Sequence, residues 1–327
     1  MRADSLAAPP PAECPVPQWY YLDIGNICNL SCPYCPTGNG KTLTRDKGLM
    51  SKETFDIILR KIEPHARFVC LFNWGEPFLN KNLLYMVRAL SERGIKSHLD
   101  SNLSLRDFSD REAEEIVRSG LFSLFASIDG VTQESYEKYR VGGNVERALG
   151  NLRQLVRARD RLRMETPGLL WAFYLNRFNE HEIEAAREVA KDIGVEIWFK
   201  LLSAPDEFQT RYAKEWSPIL SAPPSTPYWH PNQVNENLAP FELHPMLHPV
   251  CRQPFTVGVV NWNGDVFPCC VVTGDRFKLG NLVEQELDQV WNGSPLRSCR
   301  TFLGNFGPVQ GGDSVCETVC TAVPSHA

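Results

Sequence analysis

The sequence predicts an α/β protein built from parallel βα units, and three observations carry that prediction. Six short apolar runs lie between residues 19 and 201. Amphipathic stretches with helical spacing separate them. The helical stretches are long enough to serve as crossovers, which parallel neighbours need. Either a barrel-like curl or a doubly wound sheet satisfies this alternation.

The strands are expected at 19–25, 68–73, 95–101, 122–128, 169–175 and 195–201, and the helices near 51–62, 82–92, 109–118, 144–160 and 179–192. Ser109 with Glu112 and Asn179 with Glu182 read as capping boxes. In such a box the first side chain accepts an early backbone N–H and the glutamate reaches back. Residues 203–250 differ in kind, for ten prolines fall between Pro205 and Pro254. Proline fixes φ and removes a ladder donor, so this stretch reads as a loop-rich connector. Its aromatics, Phe208, Tyr212, Trp216, Tyr228 and Trp229, predict that it packs over a neighbour. Beyond it, apolar residues on either side of Trp262-Asn263-Gly264 predict a hairpin, a short helix is expected near 284–291, and the tail is Gly-rich.

At 327 residues the chain exceeds one domain of about 150. Its 43% hydrophobic and 22% charged residues suffice for a sizeable core. A net charge of −5 and a pI near 5.9 give no sign of nucleic acid or an anionic membrane as partner. No run approaches the roughly 18 apolar residues of a membrane span. The Ala/Pro-rich start lacks the apolar block of a secretory signal, so a cytoplasmic protein is expected.

The eleven cysteines are unevenly spread. Cys28, Cys32 and Cys35 form one group, and Cys251, Cys269, Cys270, Cys299, Cys316 and Cys320 lie beyond residue 250. An odd total without a signal peptide argues against a disulfide framework, and clustering argues for metal or iron–sulfur ligands. Three thiolates within eight residues can wrap one centre and leave one iron of a cubane open. A structural zinc would want a fourth ligand nearby, and no histidine is close in sequence.

The C-x3-C-x2-C spacing, with Tyr34 before the last cysteine, resembles the radical S-adenosylmethionine (SAM) enzymes. Further motifs come in order along the chain. Asn73-Trp74-Gly75-Glu76-Pro77 ends the second strand, where that family has a Gly-Gly-Glu-Pro-like loop; Asn73-Trp74 departs from it and Gly75, Glu76 and Pro77 match. Ser101-Asn102 ends the third strand, and Ser127-Ile128-Asp129-Gly130 ends the fourth, with the segment Tyr136 to Gly143 after it. The resemblance implies that Cys28, Cys32 and Cys35 hold a 4Fe–4S cluster. It implies that Tyr34, Gly75, Glu76, Pro77, Ser101, Asn102, Ser127 and Arg140 contact SAM. Glu76 and its loop would hold the methionine amino group, and Arg140 would meet the carboxylate, which a guanidinium fork suits. All these motifs come just after strands, at the edge where parallel α/β folds bind ligands.

Cys251 and Cys269 fit C-x12-G-x4-C around Gly264, and Cys316 and Cys320 fit C-x3-C. Gly280-Asn281-Leu282 and Val290-Trp291-Asn292 between them resemble a SPASM-type domain, which holds auxiliary iron–sulfur clusters. Two fully ligated clusters need eight cysteines and only six lie here, so one auxiliary 4Fe–4S cluster on Cys251, Cys269, Cys316 and Cys320 is expected. Cys270 is the alternative to Cys269, a zinc knot is the alternative to the cluster, and Cys299 and Cys70 read as core.

The implied fold is α/β, a partial (β/α)6 TIM-like radical SAM barrel with a small C-terminal iron–sulfur domain. The expected division is a disordered lead-in at 1–18, the barrel at 19–202, the connector at 203–250 and the auxiliary-cluster domain at 251–327. The implied chemistry is cleavage of SAM to a 5′-deoxyadenosyl radical that takes hydrogen from a small molecule, with electrons from a flavodoxin- or ferredoxin-type reductant. With an auxiliary cluster as acceptor, dehydrogenation of a sugar, aminocyclitol or nucleoside-type intermediate leads. The alternatives are redox-neutral sugar-acid decarboxylation or epimerisation, ribosomal peptide maturation, and a non-catalytic electron carrier or sensor. The short segment before the first strand favours small-molecule chemistry over peptide chemistry. Lys200 and Arg177, at the ends of the last two barrel strands, are the candidate catalytic residues; His230, His244 and His248 in the connector are weaker ones.

Overall fold

Six strands succeed one another as neighbours: β1 (Trp19–Leu22), β2 (Phe68–Cys70), β3 (Lys96–Ser101), β4 (Ser123–Ser127), β5 (Gly168–Leu175) and β6 (Glu196–Leu201). Each pairs in parallel with the next. The structure is a computed structural model that describes residues 13–40, 45–202, 204–213, 253–272, 274–305 and 315–316.

Crossover helices return the chain between strands: α1 (Lys52–Ile62), α2 (Leu83–Ser91), α3 (Asp110–Val117), α4 (Gln133–Tyr136), α5 (Val145–Arg161) and α6 (Ile183–Ile193). Their apolar faces pack on one side of the sheet, where Leu99, Leu124, Trp171 and Phe173 are fully buried. The opposite side chains of the strands (Phe68, Cys70, His98, Phe125, Leu170, Ala172) line the concave interior of the expected partial barrel.

Ser109 caps α3 as predicted, its Oγ accepting from Glu112 N–H at 3.2 Å, while the Glu112 carboxylate pairs with Arg106 rather than reaching back. The second predicted box does not form. Asn179 Nδ2 instead donates to the carbonyls of Asp129 and Tyr174, and Glu182 accepts from Val131 N–H and Thr132 Oγ1, so α6 starts after a 3-10 turn. Asn179 Oδ1, the atom that would cap, accepts instead from Asn176 N–H at 2.8 Å, and the Glu182 carboxylate is taken by partners some fifty residues away.

The C-terminal part adds a helical turn α7 (Gln253–Thr256), then β7 (Val257–Val260), β8 (Asp265–Phe267) and β9 (Gly280–Asn281). The hairpin turn falls where Asn263-Gly264 predicted it, with Gly264 at φ +90°, a conformation that favours glycine. β7 pairs in parallel with β1, so one nine-stranded sheet runs from β6 through β1 to β9 and joins the barrel strands to the C-terminal ones. Helices α8 (Leu287–Trp291) and α9 (Ser294–Asn305) complete the described elements.

The end of the expected disordered lead-in is fixed. Cys14 exchanges hydrogen bonds with the Asn292 side chain, Trp291 Nε1 donates to Pro15 carbonyl, and Arg297 pairs with Glu13 at 2.9 Å. Within the connector Phe208 packs edge-on against Tyr34 and Phe178, as its aromatic content predicted. Trp216, Tyr228, Trp229, His230, His244, His248, Cys251 and Cys320 lie outside the described residues. Among the described residues no helix is long and apolar enough to cross a membrane.

Candidate active site

The loop after β1 carries the first cysteines and is clasped from three sides. Ser31 N–H donates to Val141 carbonyl at 2.9 Å, Glu76 N–H to Ile27 carbonyl at 2.9 Å, and Thr37 Oγ1 to Trp74 carbonyl. Gly75 explains the closeness, because a Cβ there would stand 1.8 Å from Gly25 carbonyl oxygen. Cys28 and Cys35 are half-buried and Cys32 is buried, packed with Leu30, Tyr34, Tyr139 and Phe208. Burial pushes the Cys28 thiol up to about 12 and the Cys32 thiol up to about 11, with Glu76 beside the first and Arg140 easing the second.

This donor set fits an iron–sulfur cluster. It consists of soft thiols in an apolar shell, where ligation removes the protons that burial retains. Among the described residues no three His, Cys, Asp or Glu side chains converge on a single metal ion. A cubane, ligated at separate corners, needs no such convergence.

The Glu76 carboxylate, expected at the methionine amino group, is held by three donors of the chain itself. Oε1 accepts from Phe78 N–H at 3.1 Å and Ser101 Oγ at 2.8 Å, and Oε2 accepts from Asn102 N–H at 2.9 Å. A buried carboxylate is tolerated only with such partners, and burial still holds Glu76 above the usual carboxylate value. Glu76 therefore fixes the loop after β2 to the end of β3. Asn102 completes the link, its Nδ2 donating to Asn29 Oδ1 at 3.0 Å beside the Cys28 sulfur. Ser127 and Pro77 sit buried on the same edge.

Arg140 stands beside Cys32 with its Nε on Asp129 Oδ2, and Asp129 Oδ1 accepts from Tyr174 N–H at 2.7 Å. The pair is nearly dry, with side-chain exposures of 14% and 0%.

Inside the barrel, below this edge, Lys200 lies 4.5 Å from the Trp198 ring and 4.7 Å from the Tyr174 ring. Burial lowers its ammonium, but Tyr174 and the Asp100 and Asp129 carboxylates turn the balance upward, so Lys200 is a cation at neutral pH. Asp100 and His98 belong to the same interior and were missed from the sequence. His98 is fully buried, with Nδ1 2.8 Å from Ser123 Oγ and Nε2 3.0 Å from Asp100 Oδ1. The signal was present, since Lys96, His98 and Asp100 alternate with the helix-facing residues of β3. Arg177 does not join this group. Its exposed side chain donates to Glu207 carbonyl at 3.2 Å, pinning the start of the connector.

The second cysteine group approaches through the turn after β8. Asn73 Nδ2 donates to Cys270 carbonyl at 3.2 Å, and Gln253 Nε2 lies 3.9 Å from Cys270 Sγ. Cys269 and Cys270 share an apolar cluster with Phe267, Val272 and Tyr21. Cys316 is buried in the main core and Cys299 is fully buried there, as expected for an inert thiol.

Comparison with known proteins agrees with these two centres. Residues 22–190 match the family model of the radical SAM superfamily, and residues 251–321 match SPASM, an iron–sulfur cluster-binding domain. Curated relatives include the GTP 3′,8-cyclase of Rhizobium etli, 25% identical over 178 residues, which are 54% of this chain and 49% of that protein. The probable GTP 3′,8-cyclase of Methanococcus maripaludis is 28% identical over 134 residues, 39% and 41% of the two chains. The chain thus spans about half the length of the curated relatives it matches. Among solved structures, SuiB of Streptococcus suis bound to S-adenosylmethionine superposes with TM-score 0.61 at 14% identity, covering 88% of this chain and 68% of SuiB. BtrN in complex with AdoMet and 2-DOIA gives TM-score 0.52 at 14% identity, covering 89% of each chain. These likenesses establish the fold.

Proposed function

Because the chain belongs to the radical SAM superfamily and carries an iron–sulfur cluster-binding domain behind the barrel, we propose that it oxidises a small hydroxylated molecule, of the sugar or aminocyclitol kind. The SAM-binding cluster and SAM supply, when bound, one-electron cleavage of SAM and removal of a hydrogen atom from unactivated carbon. Cys28, Cys32 and Cys35 hold that cluster, and Cys251, Cys269, Cys316 and Cys320 hold the auxiliary one. Gly75, Glu76 and Pro77 would hold the methionine amino group. Arg140 meets its carboxylate, and Tyr34, Ser101, Asn102 and Ser127 complete the pocket. A flavodoxin- or ferredoxin-type protein supplies the electrons.

The observation that carries the substrate reading is the make-up of the barrel interior. The Lys200 cation, the Asp100 carboxylate and the phenols of Tyr174 and Tyr21 stand among aromatic walls, a pattern that suits a small polar ligand. Lys200, held as a cation, orients a hydroxyl and cannot serve as base. Asp100 keeps 24% of its side chain exposed and has His98 behind it to pass a proton on. An auxiliary cluster, when bound, would supply a one-electron acceptor, so that loss of a hydrogen atom from a carbinol carbon and of the hydroxyl proton to Asp100 would balance as oxidation to a ketone.

The test is anaerobic incubation of the reconstituted enzyme with SAM, dithionite and a panel of sugars, polyols and aminocyclitols. One member should raise 5′-deoxyadenosine formation and yield a carbonyl product. Lys200→Met and Asp100→Asn should lower that turnover by about 10²–10⁴ while retaining SAM binding. A panel that leaves 5′-deoxyadenosine formation unchanged and gives no carbonyl would sink the reading.

A further inference from the structure

Beyond β6 the chain turns back over the first cysteine group. Leu202 and Ala204 join the apolar cluster that contains Cys28, Cys32, Cys35, Tyr34 and Tyr139. The turn that follows, residues 205–211, is polar except for Pro205 and Phe208. Its one aromatic is directed at that cluster. The Phe208 ring stands edge-on to Tyr34 at 5.1 Å and to Phe178 at 4.8 Å, and lies 6.2 Å from Tyr139. Tyr34 falls between Cys32 and Cys35 in sequence, and Tyr139 is buried beside Cys32. Phe208 packs with the cysteine cluster and not with the main core.

Hydrogen bonds hold the turn in this place. Arg177 N–H donates to Phe208 carbonyl at 3.2 Å, beside the bond from its guanidinium to Glu207 carbonyl. Glu180 Oε2 accepts from Thr210 Oγ1 at 2.5 Å and from Arg211 N–H at 2.9 Å. Within the turn, Phe208 N–H donates to Pro205 carbonyl at 2.8 Å, and Gln209 Nε2 to Ala204 carbonyl. Arg177 and Glu180 both belong to the segment after β5, so the barrel itself fixes the turn where Phe208 meets Tyr34.

The apolar shell around a metal site controls how solvent reaches it. We infer that this turn is the cover of the first cluster, with Phe208 as its positioning residue. Through Tyr34 and Tyr139, Phe208 closes the shell around Cys28, Cys32 and Cys35 and keeps water and dioxygen from iron held there. The inference rests on the reading that these three cysteines hold that cluster.

The test compares the full-length wild type with Phe208→Ala and Phe208→Leu, each reconstituted anaerobically to equal iron and sulfide content and mixed, without SAM, with air-saturated buffer. Loss of the clusters' visible absorbance and release of iron are followed in time. C28A/C32A/C35A, alone and with Phe208→Ala added, is run beside them. Phe208→Ala should speed loss of the first cluster about tenfold, Phe208→Leu should fall between it and the wild type, and decay in the triple variant should not respond to Phe208. A wild-type rate in Phe208→Ala at equal starting iron overturns the role of Phe208 and leaves the ligation reading intact. Equal speeding in the triple variant does the same, since it marks a general loss of structure. A triple variant that holds as much iron as the wild type overturns the ligation reading, and the inference with it. If Phe208→Ala takes up no iron, Phe208→Leu decides: faster decay supports the inference and an unchanged rate overturns it.

Discussion

Glu76 and Asn102 are joined backbone to side chain, the Glu76 Oε2 accepting from Asn102 N–H at 2.9 Å inside a fully buried junction. This contact ties the loop after β2 to the end of β3, and Asn102 carries the link on to Asn29 in the cysteine loop. The Glu76 carboxylate thus joins two loops, and the Asn102 amide ties them to the third. Glu76→Gln keeps the shape but replaces one acceptor oxygen by a donor, so one of the three bonds must break. It should cost about 1–3 kcal/mol in denaturant unfolding and weaken SAM binding about tenfold or more by equilibrium dialysis.

Gly75→Ala tests the close approach itself. The added methyl would meet Gly25 carbonyl oxygen, a backbone atom that cannot rotate away. The variant should lose about 3 kcal/mol or more of stability and fail to hold the first cluster, read as iron content after reconstitution.

Asp129 and Arg140 form a dry ion pair beside Cys32. Asp129→Ala would leave the guanidinium buried without its partner, for about 3–5 kcal/mol. The conservative Asp129→Asn should cost less, because Oδ1 can still accept from Tyr174 N–H. Equal losses in the two variants by thermal unfolding would contradict a contribution from the Tyr174 hydrogen bond.

Asp23 gives a pH signature. Burial raises its carboxyl from 3.8 to about 7, against hydrogen bonds from Trp74 and its neighbours and the charge of Arg45. The folded state therefore binds the proton more tightly than the unfolded chain. Its stabilising contribution is full below about pH 4 and is lost as pH rises through about 7. Replacing it by asparagine should flatten the stability profile across that window, by up to a few kcal/mol at the upper end. A profile as steep as that of the wild type, from denaturant midpoints at pH 5 to 8, would contradict this.

Much of this arrangement was legible in the sequence because it is local. Each barrel strand is an apolar run with its functional loop directly after it, so Cys28 to Cys35, Gly75 to Pro77 and Ser101-Asn102 could be placed on one edge without coordinates. Legibility ended where partners are distant. Asn179 and Glu182 have the spacing of a cap, yet their side chains serve Asp129, Tyr174, Val131 and Thr132. Arg177 sits at a strand end like Lys200, but its side chain is exposed and donates to Glu207 carbonyl. β7 is four residues long, and nothing in its composition says that it pairs with β1. Asp100 and His98 were hidden by a different cause, for a strand with one polar face reads as solvent-exposed until the barrel closes over it.

The measurement that tests the central claim most directly is the iron and sulfide content of the wild type beside that of C28A/C32A/C35A, both reconstituted anaerobically. Two cubanes on two cysteine groups predict a fall from about eight irons to about four per chain. A folded triple variant with almost no iron would contradict the second centre, and with it the route for the substrate's electron.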